Sequence, residues 1–146
     1  MRYQETGQVH MDFHRATNGT LMYLRKKYGQ EFVDEIVRRT ARDVYRAIHE
    51  DLERGNPEHL LEHWTYFFDR EGGEYEVQRG GDDISFVVKC CPAIAYLQKR
   101  GLEIDPDFCR ATVVLNETLA EGTSYEVATE VQGGGRCVQT IRRIRP

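Results

Sequence analysis

No stretch of this sequence approaches the roughly 18 consecutive apolar residues that a membrane-spanning helix needs, so no membrane partner is expected. The N-terminal segment MRYQETGQVHMDFHR has no apolar core of the kind a secretory signal requires. A cytoplasmic, reducing setting is therefore expected. The chain also lacks a basic excess, with a net charge of −4. Phosphate backbones are bound through a basic footprint, so nucleic acid is not an expected partner. The one basic cluster, Arg142, Arg143 and Arg145, falls at the C-terminal end and reads as a solvated tail. There is no internal repeat and no low-complexity linker, which leaves one domain over residues 1–146. Two motifs are missing as well. Without C-x-x-C, reversible thiol redox chemistry is the weakest functional reading. Without H-E-x-x-H, a zinc protease is a poor one.

What is present is an ordinary globular composition, 40% hydrophobic and 30% charged. A chain of this length buries a core without disulfide staples. The first half reads helical. His10, His14, Thr17, Leu21, Leu24 and Tyr28 share one helical stripe, and Gly29 stops it. A second helix runs through EFVDEIVRRTARDVYRAIHEDLERG, closing at Gly55. A third opens at Asn56 and Pro57 and ends at Gly72 and Gly73. The period then changes to two. EYEVQR and ISFVVKC form one hairpin, and SYEVATEV and RCVQTIRRI form another around QGGG. Between the hairpins lie two helices, one opened by Pro92 and one capped by Asp105. This order predicts an α+β fold: N-terminal helices packed on one face of a four-stranded antiparallel sheet, with two helices inserted between two β-hairpins.

Four cysteines stand at 90, 91, 109 and 137. In a reducing compartment they are expected to be free thiols or metal ligands. Cys91 precedes Pro92 at a helix N-cap, and Cys109 falls in the first turn of the next helix. Unpaired N–H groups and the helix dipole favour thiolate at both positions. Cys90 shares strand parity with Ile84, Phe86 and Val88 and reads as a small core residue. Cys137 opens the last strand. Asn116 shares the face of Cys109, Thr112 and Val113, an inward position that demands a partner for its amide. His14 is the best placed histidine, and His10 precedes it by one turn, a spacing that suits a metal ion on a helix. His49, His59 and His63 read as solvated. Three readings of the thiols and His14 stand side by side: packing, a catalytic thiol, or a zinc or iron site formed by Cys91, Cys109, Cys137 and His14.

The segments DFHRATNGTLMYLRKKYG, EGG, CPAIAYLQKRG, FC, NETLAEG and GRCVQTIRR resemble the L-2-amino-thiazoline-4-carboxylic acid hydrolase family. The resemblance runs from Asp12 to Arg143 and singles out His14, Cys91, Cys109, Asn116 and Cys137, with Cys90 extra to the pattern. It implies hydrolytic opening of a thiazoline ring on a scaffold distantly similar to vinyl-reductase-type small-molecule-binding domains. Either a thiolate of Cys109 or Cys91 attacks the ring carbon with His14 moving the proton, or the thiols and His14 hold a metal that activates water. Asn116 would bind the substrate carboxylate. The alternative is a small-molecule or metal-binding sensor module without turnover, its pocket lined by Tyr23, Trp64, Tyr66 and Phe67. The aromatic helix over 57–70 would offer a face for a homo-oligomer.

Overall fold

The inner face of the sheet is ordered in rows, and the rows explain where the core ends and the cavity begins. In the computed structural model, which describes residues 7–144, helices α1 (Asp12–Tyr28), α2 (Gln30–Val44), α3 (Arg46–Glu53) and α4 (Glu58–Glu71) precede strands β1 (Glu74–Gly80) and β2 (Asp83–Cys90). Helices α5 (Pro92–Lys99) and α6 (Arg110–Ala120) follow, and then strands β3 (Tyr125–Gly133) and β4 (Arg136–Arg143). The sheet is antiparallel in the order β1-β2-β4-β3. Register aligns Ile84, Ile141 and Val127 in one row, Phe86, Gln139 and Thr129 in the next, and Val88, Cys137 and Val131 in a third. Directly opposed residues share a face. The first row is wholly apolar and buried; the later rows introduce polar atoms and a thiol as burial declines towards Val131.

Packing against the apolar rows is supplied by Ala41, Ile48, Leu52, Leu60, Trp64 and Leu119 from α2, α3, α4 and α6. Phe86 is fully buried, with Tyr75 stacked on it at 4.5 Å between ring centroids and Phe68 set edge-on at 5.0 Å. Such ring pairs add to burial because edge and face carry opposite partial charge. Helix α4 spends its apolar stripe, Leu60, Leu61 and Trp64, on this core, so it does not present an open aromatic face over 57–70. Among its aromatics Phe67 is the one markedly exposed, at 39%.

The α+β architecture is the one the sequence predicts, with three local differences. The expected single second helix is two, because the backbone leaves helical geometry at Tyr45 (φ −101°, ψ 19°). No glycine or proline marks the break. Tyr45 is half-buried with its ring edge-on to His63 at 5.1 Å. Second, Arg142 and Arg143 lie in β4 rather than in a tail, with Arg142 paired to Asp83 at 3.4 Å; Arg145 lies outside the described residues. Third, the register shifts between Glu74 and Tyr75, whose partners are Cys90 and Val88. The two-residue alternation that places Ile84, Phe86 and Val88 inward is interrupted there. Cys90 is only half-buried and stands outside the core.

Buried polar groups tie the helices together. Asp34 on α2 is 1% exposed and accepts from both Nε and Nη2 of Arg110 at the start of α6. That guanidinium holds the Asp34 carboxyl below its ordinary range, with burial opposing. In the unfolded chain Asp34 regains its ordinary affinity for a proton. The pair therefore stabilises the fold above the usual carboxylate range and ceases to do so as pH falls through the folded value. Asp34→Asn is expected to lower stability at neutral pH by about 1–2 kcal/mol. Its loss of stability in acid should be shallower than that of the wild type, as read from urea unfolding across pH.

Candidate functional site: a thiol-lined cavity

Three glycines set the backbone around the cavity. Helix α4 ends at Gly72 in the left-handed region (φ 73°), and Gly73 N–H closes on Phe68 O at 2.8 Å. A Cβ on Gly73 would lie 2.5 Å from the Phe68 ring and 2.9 Å from Pro92 Cδ. Only a missing side chain lets the end of α4 approach the start of α5 so closely. On the other side, the β3–β4 turn brings Gly135 (φ 78°) against Ile94, and Gly135 O accepts from Cys91 N–H at 2.8 Å. Cys91 is thus held between the end of α4 and the glycine turn, at the N-cap of α5 with Pro92 as the first helical residue.

A cavity of about 540 Å3 opens between α1, α2, α4, α6 and the sheet. Cys91, Cys109, Cys137 and Asn116 all line it. The structure therefore gathers four of the five residues singled out by sequence. His14, the fifth, does not line the cavity. It is buried one step behind, where its Nε2 lies 2.8 Å from Oε2 of Glu71, and Glu71 lines the wall. Glu71 opens the EGG segment and carries no signal of a site role in the sequence, because an acidic residue ending a helix looks solvated. Its proximity to Cys91 shows as an electrostatic influence on that thiol.

Helix-end placement does not make these thiols acidic. Burial pushes the Cys91 thiol up, against the amides of Ile94 and Ala93 that favour thiolate, and Glu71 pushes it further up. Burial and then Cys91 raise Cys109, which sits one residue before α6 as its N-cap. Burial drives Cys137 to about 12, with Cys91 and Cys109 adding to the effect. Removing a charge from water outweighs a few favourable amides. Native protein at pH 8 is accordingly expected to alkylate at these three positions several-fold more slowly than free cysteine. Peptide mass spectrometry after iodoacetamide pulses checks this; rapid labelling of Cys137 at neutral pH would contradict it.

Other expectations move. His10 is exposed and precedes α1, so His10 and His14 do not form a helical pair. His63 is not solvated: it lines the cavity with its ring edge-on to Phe67 at 4.8 Å, and burial lowers it to about 4, so it is neutral at pH 7. Trp64 and Phe67 line the cavity as expected, whereas Tyr23 is 58% exposed elsewhere and Tyr66 is not in the wall. Among the described residues no three His, Cys, Asp or Glu side chains are grouped to hold a metal ion. No helix among them is long and apolar enough to cross a membrane.

The fold and this cavity define a small α+β domain with a largely apolar cavity carrying three thiols, one carboxylate and the buried amides of Asn116 and Gln139. No family model matches the chain, and no curated protein matches it.

Proposed function

We propose that this protein is a small-molecule hydrolase that opens a cyclic C=N/C–S ring of the 2-amino-thiazoline-4-carboxylate type. The observation that carries the reading is the convergence of Cys91 and Glu71 on one cavity, with His14 behind the carboxylate. The Cys91 thiol keeps its proton at neutral pH and so needs a base at the moment of attack. Glu71 is that base. The S–H bond breaks as sulfur adds to the ring carbon, and the proton passes through Glu71 to the departing ring atom. Water then adds to the same carbon, and the Cys91 sulfur leaves with a proton. His14 acts as a positioning residue, fixing the carboxylate through its Nε2.

Resemblance to the L-2-amino-thiazoline-4-carboxylic acid hydrolases supports the choice of substrate class, and a reducing cytoplasm, where free thiols persist, belongs to the same reading. The test is incubation of purified protein with 2-amino-thiazoline-4-carboxylate, reading ring opening by mass spectrometry alongside metal analysis. Metal-free turnover is the expected result. One zinc or iron per chain with Cys91, Cys109 and Cys137 protected would replace the thiol route by a metal-water route. The second reading, a sensor that binds without turnover, draws on the protonated state of all three thiols. Tight binding of the intact ring with no product would establish it instead.

A further inference from the structure

One buried amide in the cavity has an incomplete set of partners. Asn116 is fully buried on α6 and lines the cavity. A carboxamide has two N–H donors and one acceptor oxygen. Both donors are taken: Nδ2 donates to Thr129 Oγ1 at 2.8 Å and to Gln139 Oε1 at 2.7 Å. Thr129 and Gln139 are directly opposed on β3 and β4, so the sheet register holds the amide from one side. The atom left over is Oδ1, which is buried and accepts from nothing among the described residues. Buried polar atoms in folded proteins are nearly always paired, and an orphan on a residue that lines a cavity points to a donor that arrives with a ligand.

The charged groups of the cavity are arranged with the same polarity. Glu71 adds a carboxylate to the wall. Among the described lining residues the single lysine or arginine is Arg136, exposed at the start of β4. A substrate carboxylate placed on Asn116 would meet an acceptor oxygen where water is excluded, which is unfavourable. An amino or amidine group there would find an acceptor already in place.

We propose that the cavity takes a small organic ligand with an amino or amidine end inward on Asn116 Oδ1 and an anionic end outward at Arg136. This rests on the small-molecule reading above, and it reverses the role that sequence suggests for Asn116.

The test is calorimetric titration of the full chain with two probes, 2-amino-thiazoline-4-carboxylate and thiazoline-4-carboxylate, which lacks the amino group. The Cys91→Ala form is used where the wild type turns a probe over. The amino compound is expected to bind at least about tenfold more tightly, because the other leaves a buried acceptor unpaired. Asn116→Leu should bring the two within roughly threefold of each other. Arg136→Gln should weaken both by about threefold at low salt and by less at high salt. Equal binding, or preference for the compound without the amino group, by the native amide overturns the proposal and leaves the small-molecule reading standing. Binding of neither probe overturns both. The probe pair decides on its own if Asn116→Leu does not fold.

Discussion

Cys91→Ala is expected to reduce ring-opening activity by about 10⁴-fold or more while the protein remains folded. The thiol is the group that makes and breaks a covalent bond in the proposed reaction, so its removal leaves binding without a nucleophile. Cys91 packs against the edge of the core, and loss of one sulfur there should cost about 1 kcal/mol. The same cavity supplies the controls. Cys109→Ala and Cys137→Ala remove thiols raised by burial and by their fellow thiols rather than by a carboxylate, and each should retain activity within about tenfold. Glu71→Gln should lose about 10²–10⁴-fold, the usual worth of a positioned base, and should do so chiefly in kcat. Full activity in Cys91→Ala, measured by steady-state kinetics beside a thermal melt, would end the thiol route. A larger loss in Cys109→Ala would transfer the nucleophile to that residue.

Gly73→Ala should lower stability by about 2 kcal/mol, or roughly 4–8 °C in melting temperature. The added Cβ would stand 2.5 Å from the Phe68 ring and 2.9 Å from Pro92 Cδ. Neither neighbour is the free end of a flexible chain. Phe68 is packed edge-on to Phe86 and Tyr75, and Pro92 is the first residue of α5. Relief therefore requires the end of α4 and the start of α5 to separate, which moves Glu71 from Cys91. Activity should fall with stability, and by more than global unfolding accounts for when measured well below the melting temperature. A control is available in Gly19, where an added Cβ meets nothing within 4 Å and the helix gains propensity. Gly19→Ala should be neutral or slightly stabilising. An unchanged melting temperature in Gly73→Ala would show that α4 and α5 do not approach as closely as described.

The element order, the two hairpins and the antiparallel sheet were legible because each rests on local signals. Periods of 3.6 and two, the prolines at 57 and 92, and the glycines at 29, 72, 101 and 122 all act within a few residues of themselves. The N-cap position of Cys91 and the inward face of Asn116 are of the same local kind, and both survive in the structure. The break at Tyr45 carries no glycine or proline, and the slipped register at Cys90 depends on a partner strand, so neither was visible.

What only the tertiary structure decided is how these residues meet and in what chemical state. Glu71 and His14 are 57 positions apart in the chain, and their contact follows from how α1 and α4 pack. Local helix-end geometry favours thiolate at Cys91, and the sequence suggests the same at Cys109, but burial is set by every element around the cavity and raises both thiols. The direction of the Asn116 amide likewise depends on Thr129 and Gln139, placed by sheet register rather than by the helix that carries it. Backbone geometry is a property of short segments and can be read from them. Desolvation and hydrogen-bond saturation are sums over neighbours distant in sequence, and they exist only once the chain has folded.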